Sequence, residues 1–277
     1  MSLVSPAHLL AASRAGVAAF NVILPEHFEA FISAAEAGSS GLILQLSQNA
    51  VRYHGSLAPM GAALLAAASK ATVPVAVQLD HADDTELIRE AATMGFTSIM
   101  FDGSGLDDRA NAEQTAALAE ELHASGIWVE AELGEVGGKD GVHSATARTD
   151  PAEAARFVAR TGVDGLAVAV GSSHAMTDQS AVIDLGLVAA LRDSVPVPLV
   201  LHGSSGVPDA RVREACRAGI RKVNVGTRFN AVFSEALRQA LASQPEAVDP
   251  RRYLKPARDA VAADAAHLLQ VIGGPTR

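Results

Sequence analysis

Residues 74–83 read P-V-A-V-Q-L-D-H-A-D. Val75, Ala76, Val77 and Leu79 form a short apolar run with β-branched members, the composition of a strand buried on both faces. The run stops at Asp80 and His81, and Asp83-Asp84-Thr85-Glu86 then suits a helix start, with Glu86 three residues after Asp83. A strand that carries its first ionisable groups at its C-terminal tip, directly before a helix, is where parallel α/β proteins place chemistry. Taken alone, Asp80 could merely cap the turn and His81 could be a satisfied surface histidine.

Working outward, the same strand–helix unit recurs along the chain. Strands are expected at Val17–Val22, Leu42–Ser47, Val75–Asp80, Thr97–Phe101, Ile127–Leu133, Gly165–Val170, Pro198–Leu201 and Lys222–Val225. Helical patterns follow each of them. A short N-terminal helix from Ser5-Pro6 precedes the first strand, and an extra C-terminal helix is expected near Ala257–Ile272. Eight such units point to a closed (β/α)8 barrel, the TIM-barrel architecture, rather than an open doubly wound sheet. The first βα turn also lacks G-x-G-x-x-G, which weakens a dinucleotide-binding reading. With no internal linker or low-complexity segment, residues 1–277 are expected to form one barrel domain, and such barrels typically take roughly 250 residues.

Hydrophobic residues make up 49% and charged residues 19%, ample material for a packed interior, and the net charge is −9. No basic run or aromatic-interleaved patch is present, which argues against a nucleic-acid partner. No apolar run approaches the roughly 20 residues of a membrane span. The N-terminus lacks a signal-peptide pattern, and the single cysteine, Cys216, cannot form an internal disulfide. A cytoplasmic protein with no membrane partner is expected.

The strand tips of such a barrel form its active face. Here they offer Asn21, Ser47, Asp80, His81, Asp102, Ser104, Glu130, Glu132, His174, His202, Asn224 and Thr227. Three histidines from separate strands, with carboxylates nearby, match the ligand set of a catalytic zinc site that keeps one position open. The alternative is three unrelated polar caps. Two small-residue turns, His202-Gly203-Ser204-Ser205-Gly206 and Asn224-Val225-Gly226-Thr227, follow the last two strands. Barrels often bind phosphate there through backbone N–H groups, although ordinary tight turns read the same way.

Several stretches together resemble the class II, metal-dependent ketose-bisphosphate aldolases, the family of fructose- and tagatose-1,6-bisphosphate aldolases. They are A-F-N-V (19–22), V-P-V-A-V-Q-L-D-H (73–81), G-F-T-S-I-M-F-D-G-S (95–104), V-E-A-E-L-G-E-V-G-G (129–138), P-L-V-L-H-G-S-S-G-V-P-D (198–209), K-V-N-V-G-T (222–227) and D-P-R-R-Y-L-K-P-A-R (249–258). The resemblance implies zinc on His81, His174 and His202, a possible second divalent ion near Asp102 and Glu132, and a monovalent cation (Na+ or K+). It implies Asp80 as the acid/base beside the cleaved bond. Asn21, Ser47, Gly203, Ser205, Asn224, Gly226 and Thr227 would line the substrate and its phosphate, and Arg251 would reach the distal phosphate of a neighbouring subunit. A homo-oligomer, a dimer or a multiple of dimers, is therefore expected.

The pattern departs from the family in places. Gly171-Ser172-Ser173-His174-Ala175 replaces G-T-A-H-G, Gly226 stands where many members carry Asp, and the mobile-loop motif is shortened to Gly137-Gly138-Lys139-Asp140-Gly141. Asp140 is the carboxylate left in that loop, so it is assigned the second proton transfer, with Glu135 or water as the alternative. The chemistry itself requires a Lewis acid for the developing oxyanion and a carboxylate for the hydroxyl proton. The expected reaction is reversible cleavage of a phosphorylated ketose to dihydroxyacetone phosphate and an aldehyde. An aldolase for a deoxy-keto acid phosphate and a non-catalytic phosphosugar-binding subunit are the alternatives. A Schiff-base mechanism needs a lysine on the active face. Lys70, Lys139 and Lys255 lie outside strands, and Lys222 is expected at the wrong end of its strand.

Overall fold

The computed structural model describes residues 2–133, 148–173 and 179–274. A short helix α1 (Pro6–Ala12) precedes β1 (Val17–Asn21), α2 (Pro25–Ala37) and β2 (Leu42–Ser47). Then come α3 (Gln48–His54), α4 (Ala58–Lys70), β3 (Val75–Ala82), α5 (Thr85–Met94) and β4 (Ser98–Phe101). The chain continues through α6 (Asp108–His123), β5 (Trp128–Glu132), α7 (Pro151–Thr161), β6 (Gly165–Ala167) and α8 (Leu185–Ser194). It ends with β7 (Leu199–Leu201), α9 (Asp209–Ala218), β8 (Ile220–Val225), α10 (Thr227–Ser243) and α11 (Arg251–Gly273). All eight strands are parallel, each paired with its neighbours in sequence, and β1 closes on β8 with Ala19 opposite Asn224. The expected (β/α)8 barrel, with its added first and last helices, is the fold.

Alternation along each strand sorts the barrel interior into layers. At the strand N-terminal end, Val17, Ala19, Ile43, Ala76 and Trp128 pack together, and Leu9 and Leu10 of α1 plug them from below. Met100, Ala167 and Val200 form a small apolar group above. The residues on the outward face, such as Leu44, Val77, Ile99 and Leu201, join the helices in the main core. None of the described helices is long and apolar enough to cross a membrane.

Several boundaries differ from expectation. Helix α3 falls outside the expected pattern; Ser47 Oγ caps it by accepting from the Ala50 N–H, and Gly55 ends it in the left-handed region at φ 82°. Strand β6 stops at Ala167 because Ala169 takes its backbone bonds from Thr149 instead: its N–H donates to Thr149 Oγ1 and its carbonyl accepts from the Thr149 N–H. Strand β8 begins at Ile220, ahead of the expected start, so Lys222 sits inside the strand. Helix α11 begins at Arg251, ahead of the expected Ala257, and runs through Pro256. That proline removes one N–H and crowds the Arg252 carbonyl, but both residues are exposed, so water can serve the orphaned oxygen.

The entry to α2 holds a pH-sensitive contact. His27 is buried, and its Nδ1 accepts from the N–H groups of Ile23 (3.1 Å) and Leu24 (3.4 Å), which requires that nitrogen to be unprotonated. Burial lowers its pKa from 6.5 to about 4. Between those values the unfolded chain binds the extra proton, so stability is full above about pH 6.5 and is lost as pH falls towards 4. The full excursion amounts to about 3 kcal/mol. Urea unfolding at pH 7 and pH 5 should show this decline, and a His27→Gln variant should show a flatter pH dependence. Parallel pH profiles for the two proteins would assign the decline elsewhere.

Candidate active site

The candidate residues rise from the inner faces of the strands, and β3 solves a geometric problem first. In a regular strand Asp80 and His81 would point to opposite faces. Here His81 adopts a left-handed backbone, φ 47°, and the β3–β4 register shifts between Leu79 and Ala82. This bulge lets adjacent residues serve one site. Asp80 is buried, with Oδ2 accepting from Asn21 Nδ2 (2.9 Å) and Oδ1 from Gln45 Nε2 (3.0 Å).

His81 and His202 meet across the top of the barrel. His81 Nδ1 lies 2.7 Å from Asp102 Oδ2, and His202 Nε2 lies 2.9 Å from Glu130 Oε1. Carboxylates only accept, and Glu130 stays ionised beside Lys222, so both nitrogens are assigned the proton, although Asn224 Nδ2 also lies 3.1 Å from His202 Nε2. The other two, His81 Nε2 and His202 Nδ1, therefore turn toward each other with their lone pairs, 3.0 Å apart. Glu132 stands beside them, and one atom from each of the three residues falls within 4.8 Å of the others. Glu132 Oε2 is buried without a hydrogen-bond partner among the described residues. Burial pushes the Glu132 carboxyl up to about 7 despite the neighbouring His81, and burial also lowers the His202 pKa. Two converging imidazole lone pairs and an orphaned carboxylate oxygen fit a divalent cation, and each histidine is oriented by a carboxylate behind it in the way metal ligands commonly are.

His202 follows the end of β7, and its neighbour Gly203 has φ 65°. A Cβ on Gly203 would come within 2.5 Å of the Ser173 backbone, so only glycine lets the β6 and β7 loops approach this closely. Ser172 Oγ donates to the His202 carbonyl at 2.6 Å, fastening the start of the segment that leads to His174. His174 itself, with Glu135, Gly137, Gly138 and Asp140, lies outside the described residues.

Below the histidines runs a buried polar circuit that the sequence pattern alone does not assemble. Lys222, expected at the wrong end of its strand, is fully buried inside the barrel; Nζ donates to Glu130 Oε2 (2.7 Å) and Asn224 Oδ1 (2.8 Å). Gln78 Nε2 also donates to Glu130 Oε2, and Gln45 Nε2 lies 3.3 Å from Gln78 Oε1. Burial opposes the Glu130 charge, but the Lys222 ammonium and the His202 N–H outweigh it and hold that carboxyl well below the usual range. A lysine locked into this ion pair is a poor amine nucleophile. Polar residues at inward-facing positions of otherwise apolar strands are the available signal. Replacing Lys222 with Met should strand the Glu130 charge and lower the unfolding free energy by about 3–5 kcal/mol in urea melts. A loss below about 1 kcal/mol would mean that Glu130 does not need this counter-charge.

Above the circuit opens a cavity of about 330 Å³. Asn21, Ser47, Asp80, His81, His202 and Asn224 line it, together with the Gly203–Ser205 turn and the Gly226-Thr227 start of α10. Ser205 Oγ accepts from the Arg228 N–H (3.1 Å), tying the β7 turn to the first turn of α10. Arg251 is not part of this wall. It begins α11, exposed, with Nη2 donating to Asp249 Oδ2 at 2.7 Å.

The profile of the family described as "Fructose-bisphosphate aldolase class-II" matches residues 7–276. A fructose-bisphosphate aldolase of Geobacillus stearothermophilus is 38% identical over 270 residues, covering 95% of this chain and 94% of that protein. One from Thermus caldophilus is 38% identical over 307 aligned positions, covering 99% of both. The crystal structure of the YdjI aldolase from Escherichia coli K12 superposes with a TM-score of 0.86 at 33% identity, covering 98% of this chain and 97% of that one. With agreement of this depth running from the first helix to the last, the chain belongs to the class II fructose-bisphosphate aldolase family and is a class II aldolase, a metal-dependent lyase.

Proposed function

We propose that the chain cleaves a phosphorylated ketose of the fructose- or tagatose-1,6-bisphosphate type, reversibly, to dihydroxyacetone phosphate and an aldehyde. The observation that carries this reading is the approach of His81 Nε2 and His202 Nδ1 to 3.0 Å, beside Glu132 and one residue away from the buried Asp80 carboxylate. His81, His202 and Glu132, with His174 as the further histidine, would hold the metal, and imidazole donors favour zinc over harder cations. When bound, that ion supplies Lewis-acid polarisation of the ketone oxygen. Asp80, held on both oxygens by Asn21 and Gln45, takes the hydroxyl proton beside the breaking bond. Asn224 and Asn21 orient the dihydroxyacetone portion. The N–H groups of Gly203–Ser205 and of the α10 start receive its phosphate, aided by the helix N-terminus. A monovalent cation beside that phosphate is part of the proposal.

Asp102 is given a different part from a second metal ligand. Oδ2 takes His81, and Oδ1 takes both the Ser104 hydroxyl (2.6 Å) and its N–H (3.2 Å), so the carboxylate orients His81. Asp140 is proposed to exchange the proton at the carbon left behind after the aldehyde departs.

Arg251 belongs to the proposed homo-oligomer, offered to the distal phosphate bound by a neighbouring subunit. Arg251→Ala should raise KM for a bisphosphate at least about tenfold, the equivalent of 1.4 kcal/mol, and leave KM for a ketose 1-phosphate within twofold. Equal changes on both substrates would remove Arg251 from this role. The substrate assignment is tested by a coupled triose-phosphate assay on fructose 1,6-bisphosphate, tagatose 1,6-bisphosphate, a deoxy-keto acid phosphate and unphosphorylated fructose. Turnover of a ketose bisphosphate above the other two classes is expected; preference for the keto acid, or no turnover of any, contradicts it.

A further inference from the structure

The strand N-terminal end of the barrel, opposite the active face, holds a second and larger cavity of about 750 Å³. Its floor is the apolar segment from Val195 through Pro198 to Leu199, with Val271 and Ile272 of α11. Its rim carries Arg14, Arg192, Arg213, Arg217 and Arg221, and no Asp or Glu among the described residues lines it. That is an unusual concentration of positive charge in a chain of net charge −9.

Helix C-termini collect at this end of a (β/α)8 barrel, and basic side chains there stabilise the exposed carbonyls. Two of the five arginines do so. Arg192 Nη1 donates to the Ala218 carbonyl, and Arg221 Nη2 donates to the carbonyls of Leu10 and Ser13. Arg192 also lies over Gly219, where an added Cβ would meet the Arg192 Cβ at 2.8 Å. Arg14, Arg213 and Arg217 remain without a carboxylate or carbonyl partner among the described residues. Arg192 also holds the neighbouring Asp193 carboxylate at 2.8 Å, as Arg89, Arg109, Arg160, Arg228 and Arg258 each hold one elsewhere on the outer helices. Helix-end electrostatics therefore accounts for two of the rim arginines and leaves three without a described partner.

We propose that this lower cavity is a binding site for a mononucleotide-sized organic phosphate, its planar or apolar body on the Val195–Leu199 floor and its phosphate on Arg14, Arg213 and Arg217. The volume falls within the range of small-molecule sites, roughly 300–1,000 Å³. Guanidinium groups both pair with phosphate in bidentate fashion and stack on planar rings. The site shares no lining residue with the cavity of His81 and His202.

Isothermal titration calorimetry with AMP, adenosine and inorganic phosphate tests it, using the full chain and a triple variant, Arg14→Gln/Arg213→Gln/Arg217→Gln. All three positions are exposed, so the variant is expected to fold and to keep the parent aldolase rate. AMP should bind saturably, at least about tenfold more tightly than adenosine or inorganic phosphate, and more weakly as salt is raised. The triple variant should lose at least about tenfold of the AMP affinity. Absence of saturable AMP binding, or equal AMP affinity in the triple variant, would overturn the proposal. So would equal binding of AMP and inorganic phosphate, because the floor would then contribute nothing.

Discussion

Replacing His202 with alanine should abolish both bound metal and turnover. His202 is fully buried just past the end of β7, and its two nitrogens have divided duties: Nε2–H is held by Glu130 while Nδ1 faces His81. Alanine removes one of the converging lone pairs and leaves Glu130 to Lys222 and Gln78 alone. Metal content, measured on protein purified without chelator, should fall from about one ion per chain to a few per cent of that value. Cleavage should drop by about 10³-fold or more, the scale expected when Lewis-acid stabilisation worth several kcal/mol is lost. Circular dichroism and urea unfolding separate this from misfolding, and His81→Ala, at a more exposed position, should give the same two losses. A folded His202→Ala protein that keeps its metal would remove His202 from the ligand set.

Asp80→Asn should be the next most damaging change, with a different signature. The amide is isosteric, and Gln45 Oε1, which has no partner among the described residues, can turn to accept from it. Metal content and KM should therefore stay near the parent values while kcat falls by about 10²–10⁴-fold, the usual worth of a positioned general base. A proportionate rise in KM with unchanged kcat would make Asp80 a binding residue instead.

Much of this site is legible in the sequence because a parallel barrel converts order along the chain into position around a ring. Once eight apolar runs are recognised, the residues at their tips have to share one face, and Asn21, Asp80, His81, His202 and Asn224 do line one cavity. What escapes depends on contacts between elements. The turn that brings His81 beside His202 is a bulge at one residue, and nothing in L-D-H-A announces a left-handed backbone there. Lys222 and Glu130 lie far apart in sequence, and their pairing emerges only when the strands close. Their inward placement is readable from alternation, but the short apolar stretch after Lys222 makes it look like a strand start. Helix α11 crosses Pro256 because its first turns face water, a circumstance of packing on α2 and α10 rather than of propensity.

The proposed reaction breaks a carbon–carbon bond in a phosphorylated ketose through a metal held by these histidines, with no covalent lysine adduct. The most direct measurement is fructose 1,6-bisphosphate cleavage by one preparation before chelation, after exhaustive chelation, and after addition of one equivalent of zinc, with borohydride and substrate added to a parallel sample. Turnover should disappear with the metal and return with zinc, and intact-mass spectra should be free of a triose phosphate adduct. Turnover that survives in metal-free protein, or a borohydride-trapped adduct on Lys222 or any other lysine, would contradict it.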